Sequence, residues 1–194
     1  MGDAKIGCVV MAAGNARRFG ANKLAAALEG KPLILRALEA VPEGLFSRVE
    51  VVTQYPEVAD MAAKFGFGVL RNDRPDLGLS HTIALGTQAL ADCGAILYMV
   101  ADQPLLAAET VSRVAAAWQE TPACIVAAAH CGKRGNPCIF PREFFPELLV
   151  LTGDTGGSAV IKRHPDRLRT VEVPAAELAD VDTPAALASL QEHQ

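Results

Sequence analysis

No apolar run in the chain approaches the ~20 residues that a membrane-spanning helix needs. The opening residues, "MGDAKIGCVV", lack the basic region followed by a long apolar region of a signal peptide. A lipid anchor on Gly2 is not expected either, because the folded part is read as starting at Lys5 and leaves little room for a lipidated arm. Positive charge is not in excess. The chain carries 18 Lys and Arg against 22 Asp and Glu, a formal net charge of -4. Broad electrostatic binding to nucleic acid or to an anionic membrane is therefore not expected, and any anion site must be local. There is no linker rich in Gly, Ser or Pro, no internal repeat and no low-complexity tract, so residues 1–194 are expected to form a single domain.

The cysteines do not make an even set. Cys8, Cys93, Cys124, Cys131 and Cys138 number five and are scattered through expected strands and their ends. That pattern argues for reduced thiols and a cytoplasmic location. Cys124, Cys131 and Cys138 are evenly spaced and His130 adjoins Cys131, which raises a metal site. Structural zinc ligands usually come in pairs two to four residues apart, and these gaps are longer. Buried thiols plus one loop thiol are the expected reading.

What the chain does have is 51% apolar residues over 194 positions, enough for a full core. Strand-like runs alternate with helical patterns. "KIGCVVMA", "RVEVVTQ", "GVLRN", "AILYMVAD" and "ACIVAAA" read as strands. "PLILRALEAV", "PEVADMAAKFG", "GLSHTIALGTQAL" and "AAETVSRVAAAWQE" read as the helices between them. After His130 the rhythm changes. "CGKRGNPCIF" reads as a turn and a short strand, antiparallel to its neighbours. "REFFPELLVL" and "GGSAVIKRHP" read as short helices, "LRTVEVP" as a strand and "TPAALASLQEH" as a closing helix. The alternation predicts an α/β fold, a mostly parallel sheet with helices on both faces. Ligands of such sheets sit beyond the carboxyl ends of the strands. Residues 11–23, 72–82, 102–104, 131–137 and 180–184 are the places to look.

The first of these, "VVMAAGNARRFGANKL", is not a Walker A loop and not a G-x-G-x-x-G loop. Its physics is related. The small residues Ala12, Ala13 and Gly14 let backbone approach a ligand closely, and Arg17, Arg18 and Lys23 can neutralise a polyphosphate. A tight turn with solvated basic residues is the plain alternative. Asp102 and Asp182 stand at expected strand ends as candidate ligands of a hard cation, although each could equally cap the helix that follows. Asp180 is the neighbouring carboxylate that competes with Asp182 for that role. Ser80 and Thr82, at a helix start, can cap the helix or bind a base. His81 between them has no assigned role, and Trp118 is read as packing. Lys133 and Arg134 are either a solvated turn or an attractor for an anion.

Gly14, Arg18, Gly20 and Lys23 fall on the pattern A-A-G-x-S-x-R-F/M-G-x-x-K. That stretch resembles the signature of nucleotidyltransferases that use a nucleoside triphosphate, and in particular the molybdenum cofactor cytidylyltransferase family. Ala16 departs from it, standing where serine is usual. Four further segments follow in the family's order. "GLSHTIALG" resembles G-M/L-S-x-S-L/I-x-x-G, with Thr82 for the second serine. "ADQPLL" resembles G-D-x-P-x-L/I. "GNPCIF" resembles G-H-P-x-x-F, with Asn136 for histidine. "GDTGGSAVIKRHP" and "DVDTPAAL" resemble the closing G-D-x-G-A-R and D-I/V-D-T-P, with Gly157 and Ser158 for alanine and arginine.

The resemblance, which spans about Ile6 to Leu187, implies a three-layer α/β/α Rossmann-like nucleotidyltransferase domain. It implies transfer of CMP from CTP to the phosphate of molybdopterin or molybdenum cofactor, with Mg²⁺ as cofactor and pyrophosphate as the other product. The implied nucleotide site is Ala12, Ala13, Gly14, Arg18, Lys23, Ser80, Thr82 and Asp102. Lys23, Arg18 and Asp102 are implied to be catalytic, and Asp102 and Asp182 to hold the metal. Asn136, Gly153 and Asp154 are implied to bind the acceptor. A molybdenum hydroxylase of the xanthine dehydrogenase type is the implied receiver of the product. The alternatives are the guanylyltransferase for the same cofactor, a transferase acting on a sugar phosphate or other small phosphate, and a non-catalytic nucleotide-binding module.

Overall fold

The computed structural model of the protein describes residues 5–14 and 22–192. The first strand explains the layering. In β1 (Ile6–Ala12) every residue except Met11 is buried. Side chains alternate across a strand, so a strand buried at successive positions must be covered on both faces. Cys8, Val10 and Ala12 face one core, with Leu38, Val58, Leu97, Val114 and Trp118. Val9 faces the other, with Ile83, Leu90, Ile96, Tyr98, Phe140 and Leu148. Trp118 is thus a core residue, as expected. At 25 cal/mol per Å², each fully buried Leu or Ile side chain contributes about 1.5–3 kcal/mol of transfer free energy.

The first core is closed by α1 (Leu33–Glu39), α2 (Pro56–Lys64) and α4 (Ala108–Glu120). The second is closed by α3 (Leu79–Ala89), α5 (Phe145–Leu149) and α6 (Ser158–Arg163). Helix α3 lies close on the sheet. A Cβ on Gly86 would come within 2.6 Å of Val9, so only glycine allows that approach.

Seven strands form one sheet. Besides β1 they are β4 (Arg48–Thr53), β5 (Gly68–Arg71), β6 (Ala95–Val100), β7 (Ile125–His130), β8 (Lys133–Pro141) and β9 (Leu168–Glu172), in the order β5-β4-β1-β6-β8-β7-β9. All pairings are parallel except those of β8, which is antiparallel to both β6 and β7. The predicted three-layer, mostly parallel architecture is what the structure shows.

The expected short strand after His130 is longer, nine residues. Its direction follows from the two-residue turn Cys131–Gly132, since a turn that tight can only reverse the chain. A small hairpin was not foreseen: β2 (Ala27–Leu28) and β3 (Lys31–Pro32), joined through Glu29 and Gly30, both at positive φ. With α7 (Pro184–Glu192) it forms a third, smaller cluster, Leu28, Leu33 and Val181 packed with Leu105, Leu187 and Leu190. That cluster carries residues 180–182 across to the end of β6, where the Val181 amide donates to the Asp102 carbonyl at 2.9 Å.

The chain leaves β1 toward β4 on one side and returns to β6 on the other. The sheet therefore has its switch point between β1 and β6, and a crevice opens at their carboxyl ends.

Candidate active site

Ala12 and Ala13 leave β1 buried, and Gly14 follows at the surface. Their three carbonyls are held by three consecutive residues at the end of β4. The Thr53 hydroxyl donates to Ala12 O at 3.0 Å, Gln54 Nε2 to Ala13 O at 2.9 Å and Tyr55 OH to Gly14 O at 3.0 Å. The Thr53 hydroxyl also accepts from the Tyr55 amide at 3.1 Å. A trans peptide points its N–H opposite to its C=O, so the amides of Ala13 and Gly14 are turned away from β4. Ala12, Ala13 and Gly14 thus enter the crevice with their backbone held. Arg17, Arg18 and Gly20 lie outside the described residues.

Past them, Asn22 caps a 3-10 turn, Lys23–Ala25, by accepting from the Leu24 amide at 3.1 Å. The turn aims Lys23 at the end of β6. Its Nζ lies 2.5 Å from Asp102 Oδ2 and 3.0 Å from Asp182 Oδ1. The lysine side chain is 13% exposed, and those of Asp102 and Asp182 are 20% and 57% exposed. Burial pulls the Lys23 pKa down, but the charge of Asp102 and the hydrogen bonds to both carboxylates more than offset it, and the pKa is raised. The side chain is therefore a firm ammonium.

The second oxygen of Asp102, Oδ1, is buried and has no hydrogen-bond partner among the described residues. A buried carboxylate oxygen without a donor is costly, and a cation is the natural partner for it. The donors that converge here are all carboxylate oxygens, which fit a hard divalent ion of the Mg²⁺ or Mn²⁺ kind.

Asp180 lies near this group but has a different hydrogen-bond partner. It accepts from Gln103 Nε2 at 2.9 Å, and Gln103 is buried. Burial, followed by the nearby Asp102 charge, raises the Asp180 pKa.

Two cavities meet at the switch point. One, of about 390 Å³, is lined by Ala12, Ala13, Gly14, Lys23, Thr82 and Asp102, with Asp76 and Asp154 at its edge. The other, of about 480 Å³, is lined by Lys133, Arg134, Asn136 and Ser158 over an apolar wall that includes Phe140 and Ile161. Met11, Leu79 and Val100 border both. Arg134 is half-buried, and its Nη1 is buried with no partner among the described residues. Cys138, also in that wall, has its thiol pushed up to about 12 by burial, which makes it a packing group and not a nucleophile.

Ala12, Ala13, Gly14, Lys23, Thr82 and Asp102 share the first cavity, with Asp182 reached through Lys23. Thr82 accepts from buried Asn72 at 3.1 Å, a partner that sequence reading did not name. Ser80 is buried behind the wall, its hydroxyl donating to Leu77 O at 3.5 Å, and it lines neither cavity.

Asn136 lines the second cavity, but Asp154 lines the first. Gly153 packs on the start of α3: its carbonyl accepts from the Ser80 amide at 3.1 Å. Gly78, at φ +83°, presses so close that a Cβ there would lie 2.4 Å from the Gly153 carbonyl carbon. Thr53, Gln54, Tyr55 and Gln103 were missed. The first three end or follow β4 on the same sheet edge, so the strand-end rule, applied to β4 as well, finds them.

Small residues at the end of β1, a lysine paired to an acid at the end of β6, and two abutting cavities at the switch point agree with a comparison of the whole chain. A family model described as a MobA-like NTP transferase domain matches residues 8–168. The chain belongs to the MobA-like NTP transferase domain family. It is a nucleotidyltransferase of that type. Among curated proteins, this NTP transferase is 26% identical over 189 residues to the purine catabolism protein PucB of Bacillus subtilis (strain 168), covering 91% of each chain.

Among solved structures it is similar in fold to Rv0371C of Mycobacterium tuberculosis H37Rv in complex with manganese. That match has a TM-score of 0.80, 24% identity and coverage of 98% of this chain and 100% of the other. It is also similar to a CMP:2-keto-3-deoxy-manno-octonic acid synthetase complexed with CTP, with a TM-score of 0.76, 16% identity and coverage of 97% and 98%. No helix among the described residues is long and apolar enough to cross a membrane.

Proposed function

We propose that this nucleotidyltransferase transfers CMP from CTP to the phosphate of molybdopterin or molybdenum cofactor, forming the cytosine dinucleotide cofactor and pyrophosphate. The observation that carries the reading is Lys23 held between Asp102 and Asp182 beside the Ala12–Gly14 loop, with a second, apolar-walled cavity abutting the first. The five motif segments support the cofactor assignment. The likeness in fold to a synthetase complexed with CTP supports a pyrimidine donor.

Asp102 and Asp182 would hold Mg²⁺, whose chemistry there is to neutralise polyphosphate charge and orient the phosphates. A manganese complex of a protein of the same fold supports a divalent ion. Lys23, released from the carboxylates, donates with Arg18 to the β- and γ-phosphate oxygens, where charge builds as pyrophosphate leaves. The loop backbone at Ala13 and Gly14 holds the nucleotide so that an acceptor oxygen faces the α-phosphorus in line. A bond forms from that oxygen to the α-phosphorus, and the bond from the α-phosphorus to the bridging oxygen breaks. The electron pair departs with pyrophosphate.

On the acceptor side, Arg134 and Lys133 supply cations for a phosphate, while Phe140 and Ile161 offer apolar surface to a ring system. Asn136 would orient the acceptor, and Gly153 and Asp154 would close the loop between the two substrates. A molybdenum hydroxylase of the xanthine dehydrogenase type would receive the product, in the cytoplasm.

A second reading rests on one observation. Asn136 and Ser158, two departures from the family pattern, both line the acceptor cavity. They favour a different small phosphate, such as a sugar phosphate, over a different donor. The test is incubation with molybdopterin or molybdenum cofactor, or with a panel of sugar phosphates, plus Mg²⁺ and each triphosphate, reading pyrophosphate release.

A further inference from the structure

The β7–β8 turn is built on Cys131 and Gly132, at φ +47° and +79°. Two positive φ values in a two-residue hairpin suit Asn, Asp and Gly, and nothing in the turn calls for cysteine. Cys131 is instead flanked by two other metal-binding groups. His130 ends β7 and Glu172 ends β9, and the β7–β9 pairing sets Ala129 against Glu172. One ligand atom from each of His130, Cys131 and Glu172 can be chosen so that all three lie within 4.8 Å of one another.

The imidazole is already in the tautomer that a metal needs. His130 Nδ1 lies 2.9 Å from the Val173 carbonyl oxygen and 3.2 Å from Glu172 Oε1. Both are acceptors, so the proton of the neutral ring sits on Nδ1 and the lone pair on Nε2. This is the outer hydrogen bond that metal-bound histidines make to a carbonyl or carboxylate. Nε2 faces the Cys131 Sγ at 3.5 Å. Zinc bonds of about 2.0–2.1 Å to nitrogen and about 2.3 Å to sulfur, set at a tetrahedral angle, put those two atoms about 3.5 Å apart. The Cys131 amide donates to Glu172 Oε1 at 2.9 Å, which ties the carboxylate to the same turn.

We propose that His130 Nε2 and the Cys131 thiolate, with a Glu172 carboxylate oxygen once that exposed side chain swings from Nδ1 toward Nε2, bind one divalent ion of the zinc type, with water in the fourth position. A sulfur and a nitrogen donor select a borderline-soft ion over Mg²⁺, so this site does not compete for the ion of the active site. On binding, the Cys131 thiol gives its proton to solvent, and no electron changes hands. The ion joins the tip of the β7–β8 hairpin to the end of β9. Gly132, Lys133, Arg134 and Gly135, next along the hairpin, line the acceptor-side cavity, so the ion braces that wall. The proposal does not depend on which nucleotide or acceptor the enzyme uses.

Cobalt(II) tests it, because a cysteine ligand produces a thiolate-to-cobalt charge-transfer absorption that carboxylate sites lack. The full-length, metal-stripped protein is titrated with Co²⁺ under reducing conditions. The expected result is a charge-transfer band that saturates at one equivalent and is bleached by one equivalent of Zn²⁺. Cys131→Asn is the informative variant: asparagine accepts the positive φ, so the turn is kept while the sulfur is lost. The band should vanish in Cys131→Asn, weaken at least tenfold in apparent affinity in Glu172→Gln, and persist in Cys124→Ser. No band in the unmutated protein, or the same band in Cys131→Asn, would overturn the proposal and leave the 3.5 Å contact as a thiol-to-imidazole hydrogen bond.

Discussion

Lys23 and Asp102 lie 79 positions apart in the chain yet meet at 2.5 Å, at the point where the sheet reverses its winding. The lysine occupies the place of a cation between carboxylates that the proposed reaction assigns to a metal. In the proposed reaction the same ammonium passes from counter-ion of Asp102 and Asp182 to phosphate donor.

That dual role makes a paired prediction for Lys23. Lys23→Ala should lower kcat/KM for the triphosphate by about 2–4 kcal/mol in transition-state stabilisation, the scale of a lost oxyanion donor. Lys23→Arg should recover only part of it, since a planar guanidinium does not fill an ammonium's place. In the absence of nucleotide, Lys23→Ala should bind Mn²⁺ more tightly than the unmutated protein, because the ammonium no longer competes for Asp102 and Asp182. Paramagnetic titration reads the second effect. Unchanged kinetics together with unchanged Mn²⁺ affinity would make Lys23 a structural counter-ion only.

Asp102→Ala and Asp182→Ala should each reduce turnover by several orders of magnitude while circular dichroism stays that of the folded protein. Full activity in either folded variant would remove that carboxylate from the mechanism. Asp180→Asn should keep most activity, because Asp180 is engaged by Gln103 and not by Lys23.

Asp180 also gives a pH prediction. Its pKa in the folded state is raised, so the folded protein holds a proton there that the unfolded chain has lost near its ordinary value of about 3.9. Stability contributed by Asp180 is present below that value and is lost as pH rises through the folded pKa. Asp180→Asn, which still accepts from Gln103, should therefore raise the thermal midpoint at pH 7 relative to the unmutated protein. The gain should shrink toward zero below pH ~4. Equal midpoints at pH 7 and at acid pH would contradict this.

Thr53 is 2% exposed, and its hydroxyl makes both a donor bond to Ala12 and an acceptor bond to Tyr55. Thr53→Val removes both of these hydrogen bonds, which should cost about 1–3 kcal/mol of unfolding free energy. Because Ala12 sits at the nucleotide cavity, KM for the triphosphate should rise as well. Thr53→Ser should restore most of both. A loss of stability with no change in KM would detach the β4 clamp from nucleotide binding.

Ala13 is buried and lines the cavity that the proposed function assigns to the nucleotide. Its methyl fills space that a glycine would leave open, and crowding should disfavour a purine more than a pyrimidine. Overpacking costs of about 1–3 kcal/mol correspond to roughly ten- to hundredfold discrimination. Ala13→Gly should narrow the ratio of kcat/KM for CTP over GTP by up to that factor without reversing it. An unchanged ratio would place base selection elsewhere.

The rim of the sheet was readable in advance because its strands are continuous apolar runs. "AILYMVAD" is buried on both faces and ends at Asp102, and the strand-end rule then pointed to Lys23 and residues 180–184. The pairing of Asp182 with Lys23 was not readable. It depends on Val181 packing against Leu33 at the start of α1 and against Leu28 in a hairpin whose strands are two residues each, too short for any period to show. Asp154 is expected beside the acceptor because its segment resembles the family's closing G-D-x-G-A-R. The close contact of Gly78 with Gly153 sets that loop against the start of α3, and Asp154 lines the cavity of Ala12, Ala13 and Gly14. The cysteine spacing points away from a site made of Cys124, Cys131 and Cys138, and it carries no sign of Glu172. Cys124 and Cys138 are not brought to Cys131, whereas Glu172, 41 residues further on, is carried there by the parallel pairing of β7 and β9.

The measurement that tests the central reading most directly is pyrophosphate release by the purified protein with Mg²⁺, molybdopterin or molybdenum cofactor, and CTP or GTP in separate reactions. Release with CTP that depends on the acceptor, at least tenfold above that with GTP, together with a product containing cytosine, is the predicted result. No acceptor-dependent release with CTP, or release with GTP at an equal rate, would contradict cytidylyl transfer to this cofactor.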